Sequence, residues 1–132
     1  MMFKHWTLEQ RYPNLPESAA QARTRIAHFA KQVGLGDRDL HDIVTAVGEA
    51  LANAVEHGHR PGTNIVVRCG EAKDRVCVEI EDEGSGFKPK LPGEASRGNG
   101  FAIMLEVVDK VVLSKRGRAV RLEKAFIRAR AS

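Results

Sequence analysis

One stretch of about twenty residues constrains the fold of this chain more than any other. Apolar residues recur from Leu40 to Val55 at the three- and four-residue spacing of an α-helix, so they form one continuous stripe. The pattern predicts a helix from Asp37 to His57. Glu49 and Asn53 follow the same spacing on a different face, because each residue turns a helix by about 100°. Taken alone, this second face is typical of a solvated surface.

Length favours a single domain over residues 1–132. A chain of 132 residues buries enough apolar surface for a core without disulfide bonds or metal. No apolar run approaches the roughly 20 residues that cross a bilayer. The N-terminal residues lack the apolar segment and small-residue cleavage site of a signal peptide. We therefore expect a cytoplasmic protein that does not bind membranes.

The charge pattern favours a nucleotide or an acidic protein as partner over nucleic acid. The net charge is +4, which is modest for a chain of this length. Basic residues gather between Lys115 and Arg130, but no aromatic residues alternate with them as a base-stacking surface requires. We therefore expect no nucleic-acid binding.

The two cysteines are expected to be strand residues without chemistry. Cys69 shares a face of its strand with Ile65 and Val67, whereas Cys77 lies opposite the apolar face that contains Val78. If both apolar faces point into one core, the two thiols lie on opposite sides of the sheet, and a disulfide is excluded. The spacing of Cys and His residues matches no zinc site.

The order of the remaining patterns predicts the architecture. It reads strand, helix, helix, two strands, helix, two strands, which is typical of an α+β fold. We expect a two-layer sandwich: a mixed or antiparallel sheet with its helices on one face. The predicted elements besides the central helix are a strand over residues 2–12, a helix from Pro16 to about Gln32 stopped by Gly34, a hairpin of Thr63 to Cys69 and Arg75 to Asp82, a helix opened by Gly98 and reaching about Val108, and a hairpin of Val111 to Lys115 and Ala119 to Ile127.

Several polar residues and glycines stand where they could bind a nucleotide. Asn53 offers a neutral oxygen that suits Mg²⁺, and Glu49 could accept a proton from a hydroxyl group or a water molecule. Strand alternation turns Asp82 toward the helices, where a carboxylate needs a partner such as an exocyclic amine. Gly84 and Gly86 would allow the backbone to approach a flat base closely.

A second glycine pair opens the late apolar helix. Gly98 and Gly100 lie at its start, where free N–H groups and the helix dipole attract phosphate. The segment from Lys88 to Arg97 has no periodicity and is expected to be a mobile loop that folds over a bound nucleotide. Each motif also has an ordinary explanation, since Asp-x-Gly-x-Gly is usually a turn and Gly-x-Gly is a weak phosphate signal.

Three segments together resemble a known superfamily. EALANAVEHG (residues 49–58), DEGSGF (82–87) and RGNGFAIMLEVVD (97–109) are similar to the N, G1 and G2 boxes of the Bergerat, or histidine-kinase-like, ATPases. That superfamily includes gyrase, heat-shock chaperone, histidine-kinase and MutL-type ATPases. Within it, the short chain resembles the bacterial anti-sigma-factor serine/threonine-protein kinases.

The resemblance implies a function and two alternatives. It implies an ATP- and Mg²⁺-dependent kinase that regulates a sigma factor by phosphorylating a serine of a STAS-type anti-anti-sigma partner, by binding the sigma factor, or by both. The rival is a nucleotide-gated anti-sigma binding module without phosphate transfer, and a plain ATPase clamp is a weaker third reading. A homodimer is expected from the resemblance alone. The family's closing hairpin often carries Gly-Thr, but here Arg118 follows Gly117, so no hydroxyl is present to help seat adenine.

The same resemblance implies roles for individual residues. Glu49 would be the general base, Asn53 would hold Mg²⁺, and Asp82 would accept a hydrogen bond from the adenine amino group. Arg23 would contact the partner, although a solvated helix arginine is equally compatible with its position. His57 is favoured as a helix cap over a nucleotide contact, and Arg97 as either a phosphate contact or an exposed side chain. The ATP-binding set is Asn53, His57, Asp82, Gly84, Gly86, Phe87, Arg97, Gly98, Gly100 and Phe101.

Overall fold

A computed structural model of the chain describes residues 6–58, 62–84 and 100–127. Within these ranges, three α-helices cover one face of a five-stranded sheet. A short 3-10 turn joins the last two strands at Lys115–Gly117. The elements in chain order are β1 (Leu8–Pro13), α1 (Pro16–Val33), α2 (Asp37–Gly58), β2 (Asn64–Ala72), β3 (Arg75–Asp82), α3 (Gly100–Val107), β4 (Lys110–Ser114) and β5 (Ala119–Ala125).

The sheet is antiparallel throughout, with the strand order β1-β2-β3-β5-β4. Residues paired across neighbouring strands share a face, and the helix-facing side of this sheet is largely apolar. The predicted α+β sandwich is therefore confirmed, and of the two sheet types considered it is the antiparallel one. One helix-facing row crosses all five strands through Leu8, Cys69, Val78, Leu122 and Val111.

The helices pack their predicted apolar stripes on this sheet. Ile26 of α1 and Ile43 and Leu51 of α2 are fully buried in the common core. Helix α1 ends at Gly34, whose φ of 118° is left-handed and whose N–H bonds to the carbonyls of Ala30 and Lys31. The predicted glycine stop is thus confirmed.

Most element ends differ from the sequence-based prediction by one to three residues, but β1 begins at Leu8 and not at residue 2: residues 6 and 7 are not in a strand, and residues 2–5 lie outside the described part of the chain. Strand β2 continues to Ala72 because Ala72 still pairs with Arg75 across a two-residue turn. Strand β5 ends at Ala125, two residues before the predicted end, and Ile127 is 94% exposed. Helix α3 ends at Val107, one residue before the predicted end. Strand β1 includes Pro13, as an edge strand permits, since the residue needs no N–H there.

The other side of the sheet is covered by ion pairs. Arg68 on β2 contacts three carboxylates, at 2.7 Å for Glu9, 2.8 Å for Glu79 and 2.9 Å for Glu81. Beneath such long side chains, Val66 and Cys77 are almost completely buried. The thiols of Cys69 and Cys77 therefore lie on opposite sides of the sheet and are free, as predicted.

Candidate functional site

Helix α2 builds the core with one face and offers polar side chains on another. Val47 and Leu51 are buried, whereas Glu49 and Asn53 are only half-buried. The two polar residues are one turn apart and so lie on the same face. Helix α2 packs against both α3 and β3, so this polar face belongs to the helix at the centre of the molecule.

The beginning of α3 lies directly on this polar face. A Cβ atom placed on Gly100 would be 2.6 Å from Oε1 of Glu49, 3.3 Å from Cβ of Glu49 and 3.4 Å from Nδ2 of Asn53. Carbon and oxygen atoms do not approach to 2.6 Å without a shift, so only glycine fits against Glu49 in this arrangement. The fold therefore joins residues that are about fifty positions apart in the sequence.

Asn53 has an unsatisfied group at this junction. Its Nδ2 is inaccessible to solvent and has no hydrogen-bond partner among the described residues. A buried donor without a partner costs about 1–3 kcal/mol. An oxygen-bearing ligand beside Asn53 would satisfy the donor, and the first N–H groups of α3 and its dipole favour an anion at the same place. The junction therefore fits a phosphate group.

Asp82 occupies the end of β3 on the helix-facing side. Register places it in a row with Ile65 and Tyr12, and it is only 3% exposed. Its Oδ1 accepts a hydrogen bond of 2.8 Å from the N–H of Gly84, which fixes the orientation of the carboxylate. A buried, oriented acceptor of this kind fits a donor such as an exocyclic amine.

The stretch that lacks a hydroxyl residue lies beside Asp82. The N–H of Asp82 donates to the carbonyl of Arg118 at 2.8 Å, and Ala119 pairs with Glu81. Any effect of lacking a threonine after Gly117 would therefore fall on the surroundings of the Asp82 carboxylate.

Arg23 projects from α1 over the neighbouring helix. Its Nη1 would lie 3.7 Å from a Cβ atom on Gly48, the residue before Glu49. A cavity of about 260 Å³ lies at this α1–α2 contact. Sequence reasoning identified Arg23 but missed Gly48; the available signal was a glycine inside a strong helical pattern, since such a residue costs about 1 kcal/mol relative to alanine. The cavity is lined by Pro16, Ala19, Ala20, Arg23, Gly48, Leu51 and Ala52.

The remaining predicted site residues fall into two groups. Phe101 is partly buried against the core at the start of α3, and Gly84 is half-buried after β3. Four others, together with the side chain of His57, lie outside the described residues, so their roles stay predictions. The four are Gly86, Phe87, Arg97 and Gly98.

The donor set suits a cation that takes most of its ligands from elsewhere. The described residues contain no cluster of three or more His, Cys, Asp or Glu side chains that could hold a metal ion. A single carboxamide oxygen beside a candidate phosphate site matches the usual coordination of Mg²⁺, which keeps several water ligands and binds substrate phosphates. Across the same part of the chain, every helix is too short or too polar to cross a bilayer.

Comparison with known proteins gives concordant matches. The family model for the histidine kinase-like ATPase domain matches residues 12–124. An anti-sigma F factor of Clostridium acetobutylicum is 29% identical over 127 residues, covering 87% of this chain and 89% of the relative. The serine-protein kinase RsbW of Bacillus subtilis is 32% identical over 82 residues, covering 61% of this chain and 51% of the relative.

A solved structure supports the fold. The crystal structure of the RsbU and RsbW domains of Rv1364c from Mycobacterium tuberculosis superposes with a TM-score of 0.67 at 20% identity. The match covers 96% of this chain and 34% of that one. At this identity the likeness concerns the fold alone.

Proposed function

This chain belongs to the histidine kinase-like ATPase domain family, and from that premise we propose that it is an ATP- and Mg²⁺-dependent protein serine kinase. The observation that carries the proposal is the contact of Gly100 with Glu49 and Asn53. A carboxylate, a carboxamide and the start of a helix lie together there, and these are the groups that a proton acceptor, a metal ligand and a phosphate site would need.

Each residue of the site has a separate role in the proposed reaction. Asn53 holds Mg²⁺, which supplies charge neutralisation to the phosphates of ATP when bound. Asp82 accepts a hydrogen bond from adenine, and the N-terminal N–H groups of α3 bind phosphate. Phe101 lines the phosphate side. Glu49 accepts the proton of the partner's serine hydroxyl as that oxygen becomes the nucleophile.

The proposed partners come from the relatives. Matching proteins are named anti-sigma F factor and serine-protein kinase RsbW. By analogy, this protein would regulate a sigma factor, either by binding it or by phosphorylating a STAS-type anti-anti-sigma protein. Arg23 is the proposed contact for a partner, because its exposed guanidinium extends over α2 at Gly48, next to Glu49.

A non-catalytic alternative uses the same nucleotide-binding residues. A nucleotide-gated anti-sigma module needs the adenine and phosphate contacts but not a general base. Arg118, in the stretch beside Asp82 where the family often has a hydroxyl residue, concerns nucleotide binding, which both functions need, and so does not distinguish them. The two functions differ in one observable, the transfer of phosphate.

The deciding experiment is phosphotransfer from labelled Mg-ATP to proteins in a lysate of the source organism. We expect one small protein to be labelled by the wild type and not by Glu49→Gln, with ATP binding largely retained. Glu106→Gln is the matched control, because it removes an exposed carboxylate from α3. Full transfer by Glu49→Gln would refute the base assignment. Nucleotide-dependent retention of a sigma factor without any labelling would establish the binding module instead.

The metal role is tested separately. Asn53→Ala should weaken Mg-ATP binding at least about 10-fold in titration calorimetry, since one ligand and one phosphate-side donor are lost. Binding of ATP in the presence of a chelator should be affected less. Unchanged Mg-ATP affinity would remove Asn53 from the site and leave the proposed role of Glu49 to be judged on its own.

A further inference from the structure

A second cavity lies on the far side of α1, where the helix faces β1. It is an open groove of about 680 Å³. Apart from Ala20, each lining residue carries a polar group and none is a carboxylate, but the surface that these residues present to the groove is mostly apolar. Those residues are Gln10 and Tyr12 of β1 and Gln21, Thr24, Arg25 and His28 of α1.

Arg25 brings a positive charge to this groove. Its Nη1 is inaccessible to solvent and has no hydrogen-bond partner within the described ranges. The charge of Arg25 opposes the effect of burial on the pKa values of two neighbouring groups. Burial raises the pKa of Tyr12, and the field of Arg25 partly opposes that rise. Burial likewise raises the pKa of the Cys69 thiol to about 12, again with Arg25 acting in the opposite direction.

A guanidinium in this state selects a particular kind of ligand. A charged donor without an acceptor is unfavourable, so a rotation of the guanidinium toward the groove would let an oxygen atom from outside the chain satisfy it. The planar fork of arginine pairs best with a carboxylate or phosphate group that offers two oxygens. Neutral donors such as Thr24 and Gln21 can add hydrogen bonds to the same group. The part of the groove next to Arg25 therefore suits an oxyanion.

The position of the groove indicates how the oxyanion would be delivered. Strand β1 is at the end of the sheet and pairs only with β2, so its other edge is free of a strand in the described structure. A peptide added along that edge would alternate its side chains between the two faces of the sheet. Those on the face of Gln10 and Tyr12 would enter the groove beneath α1, at Arg25. The volume of 680 Å³ accommodates several such side chains, far more than one small anion needs.

We infer that the β1–α1 groove binds an extended acidic segment of a protein partner, which pairs with the free edge of β1 and places a carboxylate on Arg25. The site is separate from the nucleotide site and does not depend on phosphotransfer. It would give the protein a means of recognising a partner by an acidic strand as well as through Arg23.

The test uses two blocked octapeptides of threonine and valine, one with a central glutamate and the other with glutamine at that place. Each is titrated into ¹⁵N-labelled protein, and the backbone amides of β1 and the side-chain N–H of Arg25 are followed by NMR. We expect the glutamate peptide to bind about 10- to 100-fold more tightly, as a charge-assisted hydrogen bond implies. Arg25→Gln should abolish that preference. Lys31→Gln, which removes a charge from the same helix outside the groove, should retain it.

Several outcomes would overturn the inference. Equal affinity for the two peptides would do so, as would the absence of any shift up to about 10 mM peptide. Inorganic phosphate that binds at Arg25 as tightly as the glutamate peptide, without moving the β1 amides, would show a free-anion site. If sedimentation velocity shows self-association that Arg25→Gln disrupts, the occupant is a second copy of the chain.

Discussion

Replacing Gly100 by alanine should disturb the geometry of the proposed active site and leave the stability of the fold nearly unchanged. The backbone at Gly100 is not in the left-handed region, so alanine is compatible with its conformation. The new methyl group would meet Oε1 of Glu49 at 2.6 Å. Because ordinary contact begins near 3.4 Å, the carboxylate must move by at least about 0.8 Å.

This displacement has unequal consequences for folding and for activity. Oε1 is the far end of a flexible side chain, so the free energy of unfolding should change by about 1 kcal/mol or less, and better helix propensity at α3 offsets part of that. A misplacement of about 1 Å at a catalytic group can lower the rate about 100-fold. We therefore expect phosphotransfer to fall about 100-fold while Tm moves by no more than about 5 °C.

The assay compares single-turnover phosphotransfer and thermal unfolding for the wild type, Gly100→Ala and Gly36→Ala. Gly36 is the matched control, because a Cβ atom there meets nothing within 4 Å and its φ is also not left-handed. Wild-type transfer rates in Gly100→Ala would refute the assignment of Glu49 as the base at this contact. A large loss of stability would show that the helices cannot accommodate the shift, and the activity would then carry no information about Glu49.

Two further predictions concern the sheet. Arg68→Met should lower the free energy of unfolding by about 1–3 kcal/mol at pH 7, since it leaves three carboxylates without their shared partner. Burial alone would raise the pKa of Glu81, but hydrogen bonds from Lys115 and Arg68 outweigh it and hold the pKa below its ordinary value of 4.5. The stabilisation is therefore present above pH 4.5 and is lost as the pH falls through the pKa of the folded protein. The deficit of the variant should therefore shrink in urea titrations near pH 4, and a constant deficit would contradict this. Burial raises the pKa of Cys69 to about 12 and of Cys77 to about 11, against 9.0 for an exposed thiol. The unfolded chain thus loses protons first as pH rises above 9, and stability should fall by up to about 1.4 kcal/mol per pH unit for each thiol. Equilibrium unfolding between pH 8 and 11 measures the slope, and Cys77→Ala should flatten it.

The fold could be predicted largely because its elements are marked by local signals. The apolar stripe of α2, the stop at Gly34 and the alternation in β3 each concern residues within a few positions of one another. The burial of Val66 and Cys77 could not be predicted in this way. It depends on long charged side chains of neighbouring strands, and periodicity in one strand contains no information about them.

The candidate site was predicted in its parts but not in its contacts. The spacing of Glu49 and Asn53 places them on one helix face whatever the rest of the chain does. That Gly100 lies against Glu49, and that Gly48 gives space to Arg23, depends on how α2 packs against α3 and α1. The groove at Arg25 had no sequence signal, because an arginine on an amphipathic helix is ordinary until its surroundings are known.

The ion pairs around Arg68 affect how this protein can change over evolutionary time. A row across the sheet reads Glu9, Arg68, Glu79 and Arg121, with alternating charge. A lone reversal of sign in that row would place like charges on neighbouring strands, whereas a simultaneous exchange of two partners restores the pairing. We therefore expect substitutions on this face to covary in pairs among homologues, while those on the helix-facing side are limited by packing in the core. The two faces of the sheet would then differ in their patterns of substitution among homologues.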